Sequence, residues 1–174
     1  MGEVVATSEG SVACYPGCGN SLAHGPCSQS RSTPPVDHGN AGYFFDAGFR
    51  AHSRGGTVGA ILLTPDGSFV AAYNGLLPTC YSPLMAESLA CSAVLSWLKG
   101  RGITSVQVYT DCSTLKNLLT APSSSLFSYV GYSIDASRAI MSTFVSCTVS
   151  YVPRFANRAA HTLATMAFSQ DIVL

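Results

Sequence analysis

From Gly42 to about Phe168 the chain alternates short apolar runs with turn signals, and the period of those runs changes along it. Tyr43-Phe44-Phe45-Asp46 reads as a short strand, and Thr57 to Leu63 as a second that runs into the turn Thr64-Pro65-Asp66-Gly67. Ser68 to Tyr73 follows directly, so an apolar run, a Pro-Asp-Gly turn and another apolar run predict an antiparallel hairpin. From Pro83 to about Gly100 the spacing becomes helical, through Leu84, Cys91, Val94, Leu95 and Leu98. Ser82-Pro83 supplies an N-cap and a first-turn proline, and Gly100 and Gly102 close the helix. Ser105 to Asp111 alternates as a strand, Ser113 to Leu119 reads as a short helix and Ser123 to Ser125 as a loop. A helix from Leu126 to about Phe144, a strand from Cys147 to Val152 and a last helix from Asn157 to about Phe168 complete the pattern. The order β-β-β-α-β-α-α-β-α predicts an α/β domain with a mixed five-stranded sheet and helices on its faces.

Residues 1–40 lack either period and are rich in Gly, Ser, Pro and Cys, so they read as a disordered tail before a domain at 41–174. Within that tail Cys14, Cys18, His24 and Cys27 are zinc-ligand types at C-x3-C-x5-H-x2-C spacing. A retroviral zinc knuckle is C-x2-C-x4-H-x4-C, and no basic or aromatic residues flank the four, so incidental thiols are the simpler reading. Only 10% of the 174 residues are charged, and nine Lys and Arg balance nine Asp and Glu, so no overall field draws in nucleic acid or anionic membranes. Seven cysteines behind an opening MGEVVATSEG, which has no basic and apolar regions of a signal peptide, argue against a secreted disulfide framework. No apolar run reaches the ~18 residues of a membrane span. Position 6 is Ala, where myristoylation wants Ser or Thr. The expectation is a soluble, intracellular protein of undetermined oligomeric state.

Three of the nine acids stand where an acid is unfavourable. Glu87 lies on the apolar stripe of its helix with Leu84, Cys91 and Val94, Asp46 ends the apolar strand Tyr43-Phe44-Phe45, and Asp111 ends the strand that starts near Val106. A carboxylate removed from water costs several kcal/mol unless a cation compensates it. Each has a bland alternative: Glu87 at the rim of its stripe, or Asp111 as a cap of the next helix with help from Ser113. Together they resemble the hard-oxygen ligand set that Mg²⁺ or Mn²⁺ demands, and pairs of such ions cleave phosphodiesters.

On these residues the chain resembles a type 1 ribonuclease H domain, most closely the plant ribonuclease H-like family of retroelement-derived proteins. The resemblance is carried in order by Phe45-Asp46-Ala47-Gly48-Phe49, Thr64-Pro65-Asp66-Gly67, Ala86-Glu87-Ser88-Leu89-Ala90, Val108-Tyr109-Thr110-Asp111-Cys112-Ser113 and Val152 to Ala164. It implies a ribonuclease H-like fold, with sheet order 3-2-1-4-5 and two metal ions, Mg²⁺ or Mn²⁺, at an acidic cluster. By position Asp46, Glu87 and Asp111 resemble the first three catalytic carboxylates, and His161 falls at the fourth, one helical turn after Asn157. Imidazole suits Mn²⁺ better than Mg²⁺. The implied activity is hydrolysis of the RNA strand of an RNA–DNA hybrid, with RNA recognised through its 2′-hydroxyls. Asn157 and the backbone around Gly48 are expected on the substrate surface, and Arg154 and Arg158 are expected to hold phosphates or to be ordinary solvated charges.

Three features depart from that family. The loop Pro153-Arg154-Phe155-Ala156 has no His where cellular and retroviral members commonly have one. Only Lys116 and Arg138 lie between Ser113 and Val145, where bacterial members carry a basic, Trp-bearing protrusion. His161 lowers the charge of the site by one. These motivate an alternative: a retroelement-derived nucleic-acid-binding module of the same fold with weak or no catalysis. His38 and His52 read as loop residues, and Trp97, Leu95 and Leu98 as core. Cys91, Cys112 and Cys147 read as small apolar residues, since Cys112 has no local histidine to activate it.

Overall fold

The hairpins and crossovers expected from the pattern are present in the computed structural model, which describes residues 5–7, 10–13, 42–122 and 128–169. The zinc-type cluster, His38 and the Ser123 to Ser125 loop lie outside the described residues. In chain order the strands are β1 (Val5–Thr7), β2 (Gly10–Ala13), β3 (Gly42–Arg50), β4 (Gly55–Leu63), β5 (Phe69–Leu77), β6 (Ser105–Thr110) and β7 (Ser146–Tyr151). The helices are α1 (Pro83–Gly100), α2 (Ser113–Thr120), α3 (Tyr129–Met141) and α4 (Arg158–Ala167). The sheet runs β1-β2-β5-β4-β3-β6-β7, and its five strands from β5 to β7 have the expected order 3-2-1-4-5. β3, β4 and β5 are antiparallel, while β6 joins β3 and β7 joins β6 in parallel, as crossovers through helices require. The two short strands β1 and β2 extend the β5 side, and nothing in the texture of the first forty residues announces them.

Local chemistry explains the turns. Gly67 takes φ +84° in the β4–β5 turn, and Asp66 accepts hydrogen bonds from the Thr64 and Ser68 hydroxyls there. Ser82 caps α1 by accepting from the Met85 N–H at 3.1 Å, as the sequence suggests. The cap of α2 is Cys112, whose Sγ accepts from the Leu115 N–H, so the Asp111 carboxylate is not spent on capping. β3 also differs from expectation: it continues to Arg50, and Asp46 stands mid-strand opposite Gly59. The pairing of Ala47 to Arg50 with Gly55 to Val58 extends it through residues that carry no apolar alternation.

Alternation along β3 divides the molecule. Tyr43 and Phe45 join Val58, Ala60 and Leu62 of the neighbouring strand β4 and Cys91, Val94, Leu95 and Leu98 of α1 in the buried core. On that side a seam of serines, Ser88 with Ser133 and Ser92 with Ser137, ties α1 to α3. The opposite face takes α4. A Cβ on Gly59 would fall 2.2 Å from the Ala164 backbone N and 2.3 Å from the Ala160 carbonyl O, so only glycine allows the helix this close. Thr57 Oγ1 donates to the Ala164 carbonyl at 2.7 Å and fixes the same contact.

Candidate active site

The close seat of α4 on β4 decides what meets Asp46. With Gly59 opposite Asp46 in the register, the first turn of α4 descends onto β3, and His161 Nδ1 comes to 2.6 Å from Asp46 Oδ2. Asp46 itself is 1% exposed. Asp111 follows β6, the parallel neighbour of β3, and Glu87 reaches in from the second turn of α1. Asp46, Glu87 and Asp111 present carboxylate oxygens that all lie within 4.8 Å of one another. Asn157, just before α4, braces two of these elements from beneath: its Nδ2 donates to the Phe45 carbonyl at 2.8 Å and to Asp111 Oδ1 at 3.0 Å.

The electrostatics of the cluster are those of acids gathered without a matching set of cations. Burial, then the neighbouring Asp46 and Asp111 carboxylates, push the Glu87 carboxyl up to about 9. Burial also raises Asp46, against the pull of its hydrogen bond from His161. Arg154, on the 3-10 turn Arg154–Ala156, lies across the rim with Nη1 3.4 Å from Asp111 Oδ2 and Nη2 3.2 Å from both ring nitrogens of His161. Beside it opens a cleft of about 340 Å³ lined by Pro83, Leu84, Glu87, Asp111, Cys112 and Thr114. Glu87 Oε2 is buried there with no hydrogen-bond partner. An orphaned carboxylate oxygen beside two more carboxylates fits a hard divalent cation, which would replace the Glu87 proton and satisfy that oxygen.

The residues expected at the site divide on inspection. The three carboxylates, His161 and Arg154 come together. Arg158 opens α4 in an exposed position. Asn157 is 1% exposed with its amide nitrogen committed to protein atoms, so it is a strut beneath the site, not part of an outer face. Gly48 is half-buried, and a Cβ there would meet Thr57 Oγ1 at 2.2 Å and the Phe168 ring at 2.6 Å, so its glycine serves packing. Burial raises the Cys112 thiol, in keeping with a capping role and not that of a nucleophile. What sequence reasoning missed is the bridge from Arg154 to Asp111 and His161, because an exposed arginine on a short loop carries no periodic signal of its direction.

The sequence profile of the family described as "Reverse transcriptase-like" matches residues 44–167. The chain belongs to the reverse transcriptase-like family. That match spans every residue of the carboxylate cluster and His161. The RNase H-like fold of this family member is seen again in RNase H1 from Halobacterium salinarum, with a TM-score of 0.68 at 22% identity over 75% of this chain and 98% of that one. The N-terminal RNase H domain of a Mycobacterium tuberculosis protein superposes with a TM-score of 0.66 at 22% identity, over 75% and 94% of the two chains. LC11-RNase H1, solved in complex with an RNA/DNA hybrid, gives 0.67 at 15% identity over 75% and 98%. Comparison with curated proteins finds no match.

Proposed function

We propose that this reverse transcriptase-like protein is a metal-dependent endonuclease that hydrolyses the RNA strand of RNA–DNA hybrids. The observation that carries this reading is the convergence of Asp46, Glu87 and Asp111, one of them with an orphaned buried oxygen, beside an open cleft. Asp46, Glu87 and Asp111 would hold Mg²⁺ or Mn²⁺, with His161 as the fourth member of the two-ion set that the resemblance implies. When bound, such ions polarise the phosphodiester and lower the pKa of the attacking water. Asp46, at the centre, orients the site through its bond to His161. Asn157 keeps Asp111 turned toward Glu87. Arg154, exposed at the rim of the carboxylates, would take a phosphate of the incoming strand, with Arg158, exposed at the start of α4, as a further phosphate contact. The likeness to a structure holding an RNA/DNA hybrid supports the substrate class. Among the described residues no helix is long and apolar enough to cross a membrane.

A second reading is a retroelement-derived binding module without catalysis. The pairing of Arg154 with Asp111 and of His161 with Asp46 favours it, since both side chains already engage the carboxylates. A labelled hybrid incubated with Mg²⁺ or Mn²⁺, and with chelator as control, separates the two. Metal-dependent cuts confined to the RNA strand support the nuclease, and hybrid retained uncut by folded protein supports the module.

A further inference from the structure

We propose that the free protein binds a single divalent ion at Asp46, Glu87 and Asp111, and that the Arg154 guanidinium holds the place of a second. The inference rests on the metal-dependent reading above and concerns how this chain's own residues share the site. The geometry separates two halves. On one side three carboxylates converge on a common point, and the buried Glu87 Oε2 has no partner. On the other, the fourth position is closed from within: His161 Nδ1 is bonded to Asp46 Oδ2 at 2.6 Å, and both of its ring nitrogens lie 3.2 Å from Arg154 Nη2. Arg154 Nη1 meanwhile reaches Asp111 Oδ2 at 3.4 Å, so one guanidinium spans the carboxylate side and the histidine side.

Charge leads to the same division. One divalent ion and one guanidinium together neutralise three ionised carboxylates, whereas a second ion beside the guanidinium would leave two positive charges in excess. With His161 in place of an acid, nothing on the histidine side offsets that excess, and unit charges a few ångströms apart repel by several kcal/mol at the intermediate dielectric of a protein rim. Arg154 is 68% exposed and stands on a one-turn 3-10 segment, so it is held at the site by these contacts and not by burial. Removing its guanidinium frees Asp111 Oδ2 and the His161 Nε2 edge together, while His161 Nδ1 keeps its bond to Asp46.

The test is a count of Mn²⁺ bound to the full chain without nucleic acid, by loss of the free-ion electron paramagnetic resonance signal and by calorimetry, on wild type, Arg154→Ala and Arg154→Lys. The expected result is one ion for wild type, two for Arg154→Ala and one for Arg154→Lys, with circular dichroism unchanged across the three. Two ions bound by wild type, or one by both wild type and Arg154→Ala, overturns the inference and leaves the metal site standing. No ion bound by any of them overturns the metal-dependent reading itself.

Discussion

Glu87 is the residue at which folding and chemistry pull in opposite directions. An unfolded chain ionises it at the usual carboxylate pH, near 4.5, while the folded chain holds its proton to about 9. The folded state therefore binds more protons than the unfolded one across that window, so stability is greatest below the unfolded value and declines as pH rises through it. Asp46, raised in the same direction, adds to the slope. In chelator the midpoint of thermal unfolding is expected to fall from about pH 5 to about pH 9, with Glu87→Gln flattening much of the decline. Added Mn²⁺ should raise the wild-type midpoint most at the alkaline end, where the ion no longer competes with the proton. An unaltered slope in Glu87→Gln would place the pH dependence elsewhere. The acid at this position is legible in sequence, because Leu84, Cys91 and Val94 define the stripe it interrupts. The reach of Arg154 is not, since it depends on where a 3-10 turn ends after β7.

At the scale of elements, the site exists because α4 lies directly on the sheet. Gly59 makes that contact, and a methyl group there would strike the Ala160 and Ala164 backbone, which has no flexible end to move aside. Gly59→Ala is expected to destabilise the fold by about 1–3 kcal/mol, as overpacking does, and to lift His161 away from Asp46. Urea denaturation measures the first effect, and the chemical shift of the His161 ring the second. A variant as stable as wild type would mean that α4 has another way to seat. The succession of strands and helices from β3 to α4 was readable because each changes period or carries its own punctuation, such as Ser82-Pro83 before α1 and Thr64 to Gly67 between β4 and β5. What escaped reading depended on partners distant in sequence. The second half of β3 is strand because β4 pairs with it, and β1 and β2, of three and four residues, are strands through their pairing with each other and that of β2 with β5.

For the molecule as a whole, nine basic against nine acidic residues and a pI near 6.9 leave nothing to keep copies apart at neutral pH. Solubility measured across pH is therefore expected to pass through a minimum near pH 7, and a flat profile would contradict the charge balance as its cause. The same neutrality means that affinity for a polyanion must come from local cations such as Arg154 at the rim of the cleft. Asp46, 1% exposed, joins the other two carboxylates to His161. The most direct measurement is single-turnover cleavage of an end-labelled RNA–DNA hybrid by wild type and by Asp46→Asn, in Mn²⁺ and in Mg²⁺, with thermal melts of both proteins. A metal-dependent nuclease cuts the RNA strand in wild type, more in Mn²⁺ and not in chelator, and loses at least about a hundredfold in a folded Asp46→Asn. Equal cleavage by the two proteins, or none by a folded and metal-loaded wild type, would contradict the nuclease reading.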